Sequence, residues 1–233
     1  MARTARPIRN IVEAQMLRWR AEQQVQKPRT TQPPSRPHVV TSAHYLGSNG
    51  AEIAAAVAAQ LGIPLYDREI LQYIAGSTNV QVETVETLDE QVQNRLQEYI
   101  TALLYQSNFH PSDYLLHLAR TIGALWEHGS CVLVGHGCVH VVPRTHALAV
   151  RVVAPEQARI KRVAEHEQIE VEDARRLVQR TDSERQAFHR RNFHADCDDS
   201  RNYDLVIDSN SFGTAGCAAV IVEAFRRKFT TGC

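Results

Sequence analysis

Three short apolar runs, each separated from the next by helical patterns, constrain the fold of this chain more than any other feature. They are CVLVG at 131–135, ALAVRVVA at 147–154 and YDLVIDS at 203–209. The first run is uninterrupted, and apolar runs of this length are typical of strands that are covered on both faces of a parallel sheet. A shorter β-branched segment at 39–42 precedes a glycine-containing turn. Strands that alternate with helices predict an α/β doubly wound parallel sheet.

Apolar residues at helical spacing fill most of the remaining chain. The patterns predict helices over 7–25, 51–62, 68–76, 80–106, 112–128, 155–164, 170–191 and 214–229. The chain is 43% hydrophobic and 22% charged, which is typical of a globular protein and not of a disordered one. It contains no run of 18 apolar residues, so we expect no membrane span.

The charge of the chain changes sign near residue 37. Residues 1–37 hold eight basic and two acidic side chains, whereas acidic residues predominate in the remainder and the whole chain is neutral. Four prolines between 28 and 37 indicate a stiff linker. We therefore predict an N-terminal basic helix and linker over 1–37 and a globular domain over 38–233. Basic groups on a flexible arm bind nucleic acid only nonspecifically, which argues against nucleic acid as a partner.

The predicted N-terminal helix carries an apolar stripe that includes Ile11, Met16 and Trp19. Such a stripe needs a cover, and two covers are open. The helix packs on its own domain, or it docks against a protein partner or a second copy of the chain. We expect the second, with these three side chains buried in a homo-oligomer.

Five cysteines are scattered along the chain in an odd number, which argues against a disulfide framework. The first ten residues lack the apolar core of a secretory signal. Together these features predict a cytoplasmic location.

The turn after the 39–42 segment has the composition of an anion site. Backbone N–H groups of Gly47, Ser48, Asn49 and Gly50 are expected to point at a phosphate, beside the positive end of the next helix. The lysine and the Ser/Thr of a Walker A loop are absent, because Gly50 and Ala51 stand in their places. A simple strand–helix turn is the alternative interpretation.

An ordered set of motifs runs from about residue 38 to residue 229. The motifs are YLGSNGAEI at 45–53, LGIPLYDREI at 61–70, VLVGHG at 132–137, VVAP at 152–155, R-x-D-x-x-R at 180–185 and YDLVIDS at 203–209. In this set and order the chain resembles the cytidylate-kinase-like branch of the P-loop nucleoside monophosphate kinases.

The resemblance implies a P-loop NTPase-type sheet with a helical lid, and a nucleotide as partner. It implies ATP with Mg²⁺ as phosphoryl donor and CMP or another nucleoside monophosphate as acceptor. By position, the implied roles are phosphate cradling by Gly47–Gly50, acceptor binding by Asp67 and Arg68, phosphate clamping by Arg159, Arg162, Arg180 and Arg185, and orientation of the lid arginines by Asp182.

The chain also departs from the pattern of that family. Ala43, Ala51 and His136 stand where the family has arginines. Charge-assisted contacts to the moving phosphate are therefore fewer, which implies impaired phosphoryl transfer. The alternative is a catalytically inactive homologue that acts as a regulatory or assembly subunit.

Two other clusters have metal-ligand chemistry. His136, Cys138 and His140 alternate, so an extended backbone would place them on one face, as three ligands for zinc. A second group at 189–197 matches no recognised ligand spacing. With eleven histidines in the chain, chance clustering is expected, and we predict no metal site. Cys131 and Cys138 are expected to be buried, inert thiols.

Overall fold

The computed structural model describes residues 8–25, 37–105 and 112–230. The proline-rich part of the predicted linker and the last residue of the helix predicted over 80–106 lie outside the described residues. So does Pro7, with which the first predicted helix begins.

Five strands form one sheet. They are β1 (Val39–His44), β2 (Leu65–Tyr66), β3 (Val132–Val134), β4 (Ala147–Val153) and β5 (Leu205–Asp208). Their order is β2-β3-β1-β4-β5, and the β1–β3, β1–β4 and β4–β5 pairs are parallel. Val40 of β1 lies opposite both Val132 and Leu148. The predicted parallel α/β sheet is confirmed.

Ten helices are described. They are α1 (Ile8–Val25), α2 (Gly50–Leu61), α3 (Arg68–Gly76), α4 (Thr78–Glu86), α5 (Glu90–Tyr105), α6 (Asp113–His128), α7 (Cys138–Val141), α8 (Glu156–Glu167), α9 (Val171–Phe193) and α10 (Ser209–Thr230), the last kinked at Gly213.

The chain forms two compact units. The first takes its described residues from 1–37 and 66–130 and holds α1 and α3 to α6. The second takes its described residues from 38–65 and 131–233. It holds α2, α7 to α10 and the strands β1, β3, β4 and β5, and the boundary along the chain falls inside β2, between Leu65 and Tyr66.

The core of the second unit lies between the sheet and the pair α2 and α10. Val40, Val150 and Ile207 point from the strands toward Ile53 of α2 and Ile221 of α10, and all five are buried. Each such side chain contributes roughly 1.5–3 kcal/mol when it leaves water. This packing fixes α2, and therefore the loop that precedes it, against the carboxyl end of β1.

The apolar stripe of α1 is covered by its own chain. Met16 and Trp19 are each 5% exposed, and the Trp19 ring stacks on His128 of α6 with 3.9 Å between centroids. Ile11 is 41% exposed in the single chain, and its predicted burial against a second chain stays a prediction. Met16 and Trp19 therefore have neighbours within the chain, and docking of this helix on a second copy or a protein partner stays a prediction.

The single long helix predicted over 80–106 is two helices. Thr87 ends α4 because its hydroxyl donates hydrogen bonds to the carbonyls of Glu83 and Thr84. Asp89 then accepts a bond from the N–H of Gln91 at 3.0 Å, which starts α5. The apolar periodicity continues through this break, so it did not reveal the turn.

The C-terminal part of α9 is held against α7. His140 Nε2 and His189 Nδ1 are 3.0 Å apart, and the Phe193 ring lies where a Cβ on Gly137 would overlap it. Gly137 also has φ +70, which favours glycine. This anchor sets the position of the α9 side chains that reach the β1–α2 loop.

The segment after β3 is helical and not extended. The expectation that His136, Cys138 and His140 share one face of a strand is therefore wrong, since α7 begins at Cys138. The Cys138 thiol donates to the carbonyl of Leu133, and burial raises the pKa of Cys138 to about 12. Cys131 is also buried, and burial raises its pKa. Both thiols therefore stay protonated, as predicted.

The buried histidine pair predicts how the free energy of unfolding depends on pH. Burial lowers the pKa of His140 and of His189 to about 4. In the unfolded chain both groups titrate near pH ~6.5, so below that pH the unfolded state binds more protons. Their stabilisation is complete above pH ~6.5, and we expect a loss on the order of 2–3 kcal/mol as the pH falls toward ~4.

Urea unfolding at pH ~7.5 and pH ~5 measures this difference. A His140→Gln/His189→Gln variant should lose less stability between the two pH values than the wild type. His166→Gln is the control, because the His166 side chain is 81% exposed. Equal pH dependence in the double variant and the wild type would contradict the assignment.

Candidate anion-binding site

The loop between β1 and α2 is tightly folded around two glycines. Gly47 has φ +77, and a Cβ there would lie 2.5 Å from the carbonyl oxygen of Arg159. A Cβ on Gly50 would overlap the His44 ring. Glycine is therefore required at both positions, as the sequence pattern indicated for a close backbone turn.

The first turn of α2 presents backbone donors at the end of this loop. Asn49 occupies the N-cap with φ 56, and its side chain makes no capping hydrogen bond. The first N–H groups of a helix have no intrahelical acceptor and carry the positive end of the helix dipole. This helix end therefore suits an anion.

Ser48 supports the turn from inside. It is fully buried, and both its hydroxyl and its backbone N–H donate to the carbonyl of Tyr45, at 2.8 and 3.2 Å. The donors that remain for a ligand in this loop are those of Gly47, Asn49 and the first residues of α2.

A pocket of about 180 Å³ lies at this helix end. Its walls are the loop, the start of α2 and the side chains of Arg162 and His166 from α8. Two carboxylates, of Glu52 and Glu167, also line it, and the Glu167 carboxylate lies 3.0 Å from His166 Nδ1.

Arg162 brings a positive charge to the pocket. Its guanidinium donates to the Gly47 carbonyl at 3.2 Å, to the Ser209 hydroxyl at 3.4 Å and to the Asn210 amide oxygen at 3.1 Å. All three acceptors are neutral. Within the described ranges, no carboxylate forms an ion pair with Arg162.

Arg159, one turn earlier on α8, has a different environment. It is 6% exposed and forms an ion pair with Asp182 of α9 at 2.7 Å. It also donates to the Leu46 carbonyl at 3.3 Å, and its guanidinium lies 4.5 Å from the centroid of the Tyr45 ring. These contacts join Arg159 to Leu46 and Tyr45 of the loop itself, whereas the resemblance implied that Arg159 binds phosphate.

The R-x-D-x-x-R motif divides between two faces of α9. Asp182 and Arg185 are three residues apart and share a face, from which Arg185 donates to the His44 carbonyl. Arg180 projects to the other side, where it is 69% exposed and lies 3.9 Å from Glu184. The structure therefore brings Asp182 and Arg185 to the loop and leaves Arg180 at the surface.

Sequence reasoning missed Arg151. This residue of β4 lies opposite Ala43 in the sheet, is 5% exposed and forms an ion pair with Asp198 at 2.6 Å. Its guanidinium lies 4.3 Å from the centroid of the Tyr45 ring. An arginine inside an apolar strand is costly to bury without a partner, and that signal was present in the run ALAVRVVA.

Tyr45 therefore contacts two guanidinium groups, and its hydroxyl donates to Asp198 at 2.5 Å. Burial, and next the hydrogen bond to Asp198, raise the pKa of Tyr45. The phenol stays protonated, and these contacts fix the position of the Tyr45 ring in the loop.

Asp67 and Arg68, predicted at the acceptor side, belong to the first unit. Asp67 caps α3, because its carboxylate accepts a hydrogen bond from the N–H of Ile70 at 2.9 Å. Arg68 is the first residue of α3 and is exposed. Their binding of an acceptor nucleotide stays a prediction.

One group of possible metal ligands occurs among the described residues. Ligand atoms of Asp196, Cys197 and Asp198 lie within 4.8 Å of one another. The Asp198 carboxylate is already bound by Arg151 and Tyr45, and burial raises the pKa of the Cys197 thiol. These contacts explain the position of the Asp198 carboxylate without a metal ion.

A sequence model of the cytidylate kinase-like family matches residues 39–211, which include the loop, α8 and most of the second unit. The chain belongs to the cytidylate kinase-like family. The resemblance found in the motifs is thus confirmed. No curated protein matches the sequence.

One of the matching solved structures shares the fold of this family member. An uncharacterized protein from Eubacterium ventriosum superimposes with a TM-score of 0.66 at 20% identity, over 82% of this chain and 99% of that one. A shikimate kinase from Bacteroides thetaiotaomicron has a TM-score of 0.42 at 10% identity, over 82% and 96% of the two chains. A dephospho-CoA kinase from Campylobacter jejuni has a TM-score of 0.34 at 11% identity, over 83% and 98%. The last two are too distant to bear on function.

Among the described residues, no helix is both long and apolar enough to cross a membrane.

The Arg159–Asp182 ion pair predicts a large effect of Asp182 on stability. Asp182→Ala leaves a buried guanidinium without its carboxylate, and we expect a loss of about 3 kcal/mol in the free energy of unfolding. Glu184→Ala is the matched control on the same helix, since both members of its pair with Arg180 are 69% exposed. We expect it to change the free energy by less than about 0.5 kcal/mol. Urea unfolding of both variants measures this, and equal losses would overturn the assignment.

Proposed function

We propose that this protein binds the phosphates of a nucleoside triphosphate at the β1–α2 loop. In this proposal it is a nucleotide-binding, phosphotransferase-like member of its family, with impaired phosphoryl transfer. One observation carries the proposal. The Arg162 guanidinium has only neutral acceptors and lies beside an N-terminus of α2 that no side chain caps.

The chemistry of phosphate suits this arrangement. A phosphate oxygen accepts hydrogen bonds from backbone N–H groups at a helix N-terminus, and the helix dipole favours its charge. A guanidinium binds phosphate through two parallel N–H donors, and such bonds are stronger than the neutral ones that Arg162 makes here. In this proposal the pocket of about 180 Å³ takes the phosphate groups, and the nucleoside lies on the neighbouring surface.

Transfer of a phosphoryl group needs cations at the transferring group, and the other arginines are engaged elsewhere. Arg159 is neutralised by Asp182, Arg185 donates to the His44 carbonyl, and Arg180 is at the surface. Arg185 must exchange that carbonyl for phosphate before it can act. Slow transfer from ATP to CMP or another nucleoside monophosphate is the expected result.

The loop does not fit a magnesium ion held by protein side chains. Ala51 stands at the position of the magnesium-binding hydroxyl. Of the two hydroxyls in the loop, that of Ser48 donates to the Tyr45 carbonyl and that of Tyr45 donates to Asp198.

A second candidate function is that of an inactive homologue with a regulatory or assembly role. It is favoured by the contacts of Arg159, Arg162 and Arg185 with the carbonyls of Leu46, Gly47 and His44, because these contacts stabilise the loop without any substrate. A cytoplasmic location belongs to either proposal. A homo-oligomer or a protein partner at α1 is compatible with either proposal, because Ile11 and Leu17 of that helix are exposed.

Arg162 can be tested by nucleotide binding. We expect Arg162→Ala to weaken the binding of a non-hydrolysable ATP analogue about tenfold or more, since a charge-assisted hydrogen bond contributes ~1.5–3 kcal/mol. Lys161→Ala is the matched control, because the neighbouring Lys161 side chain is 77% exposed and pairs only with Glu165. Calorimetric titration gives both dissociation constants, with thermal unfolding as the check on folding. Equal weakening in both variants would contradict the role of Arg162.

Turnover separates the two candidate functions. With ATP and CMP we expect wild-type turnover well below the ~1–100 s⁻¹ of ordinary kinases, and none in Arg185→Ala, which should still bind the ATP analogue. A coupled ADP-release assay measures this. Binding of the analogue with no turnover of any nucleoside monophosphate selects the inactive homologue. Turnover in the ordinary range would contradict the impairment.

A further inference from the structure

A second pocket lies within the first unit, among α4, α5 and α6, and its volume is about 230 Å³. Its apolar lining includes Val82, Val85 and Leu96. The polar groups that face it come from all three helices. They are Gln81 and Glu86 of α4, Gln93 and Gln97 of α5, and Arg120 of α6.

Arg120 is a cation that lacks an acceptor. Its Nε is shielded from solvent and has no hydrogen-bond partner. Within the described part of the chain, its guanidinium forms no ion pair and no hydrogen bond. The two terminal guanidinium nitrogens are not among the shielded atoms, so they are open to solvent and can donate to a ligand in this pocket.

Glu86 places the opposite charge on another wall. It is exposed, and it forms no ion pair with Arg120 in the described residues, although both side chains line one cavity. The pocket therefore offers an anion-binding group and a cation-binding group that do not neutralise each other.

The two α5 amides add acceptors to the same cavity. Gln93 Nε2 donates to the Leu88 carbonyl at 2.8 Å, and Gln97 Nε2 donates to the Thr101 hydroxyl at 3.3 Å. Each amide therefore has its nitrogen engaged and its oxygen available. A ligand here needs N–H donors as well as a negative charge.

The volume limits the size of the ligand. About 230 Å³ corresponds to roughly seven or eight water molecules, each of which occupies ~30 Å³ of liquid. That space suits a ligand of about eight to ten non-hydrogen atoms, whereas a nucleoside monophosphate has about twice that number.

We propose that this pocket binds a small zwitterion of amino-acid size. Its carboxylate lies on the Arg120 guanidinium, and its ammonium group lies on Glu86 and the amide oxygens of Gln93 and Gln97. The juxtaposition of Arg120, Glu86 and the available amide oxygens, with no ion pair among the described residues, in one pocket that is open to solvent is what carries the proposal. It does not rest on nucleotide binding in the second unit.

The test is titration of the full-length protein with each common amino acid, followed by calorimetry. We expect saturable binding of at least one. Its analogue without the amino group and its analogue without the carboxylate should each bind at least about tenfold more weakly, because each loses one charged contact. Failure of every amino acid to bind at about 10 mM overturns the proposal, as does an analogue without the amino group that binds equally well.

Variants locate the site. Arg120→Met keeps the apolar part of the side chain, removes its charge and should weaken binding at least about tenfold, while Arg120→Lys should restore part of it. Arg95→Met is the control, since Arg95 is exposed on α5 and does not line the pocket. If Arg120→Met does not fold, Glu86→Gln tests the same site from the side of the ammonium group. Binding that survives both variants, or that CMP or ATP displaces, overturns the proposal.

Discussion

The Arg159–Asp182 ion pair is the interaction on which the arrangement of the second unit depends. It joins α8 to α9 at 2.7 Å, and the same guanidinium reaches the Leu46 carbonyl and the Tyr45 ring. A buried pair of charges loses its hydration, so it stabilises a fold only when further hydrogen bonds satisfy it. Here the Arg159 guanidinium makes one such bond, to the Leu46 carbonyl of the β1–α2 loop, whereas Arg159 Nε and Asp182 Oδ1 have no hydrogen-bond partner among the described residues. The pair therefore links the position of α9 to the shape of the loop, and the His140–His189 contact fixes the other end of α9.

The arginines near the β1–α2 loop differ in whether a carboxylate neutralises their charge. In the pattern of the family, arginines stand at the positions of Ala43, Ala51 and His136, close to the moving phosphate. In this chain the cations come from β4, α8 and α9, where Arg151 and Arg159 have carboxylate partners. Arg162 differs from both, because its acceptors are neutral. These contacts hold the β1–α2 loop in the absence of a ligand, and they engage Arg151 and Arg159 with carboxylates of the protein itself.

The sequence predicted the sheet well, because buried parallel strands appear as continuous apolar runs. It also predicted the glycine turn, because few residues other than glycine adopt the backbone of Gly47. It did not distinguish Arg159 from Arg162, which lie on the same helix one turn apart, since only the position of Asp182 decides which of them is neutralised. The break between α4 and α5 was missed because Thr87 and Asp89 act through local hydrogen bonds that leave the apolar periodicity intact.

The most direct test of the phosphate site is the response of individual backbone amides to ligand. In ¹H–¹⁵N correlation spectra of the full-length protein, a non-hydrolysable ATP analogue and inorganic triphosphate should both shift the amides of Gly47, Asn49 and Gly50. Adenosine alone should leave them unchanged, because the donors of this loop and of α2 recognise charge and not the base. Amides that do not respond to either phosphate ligand, or that respond equally to adenosine, would contradict a phosphate site at this loop.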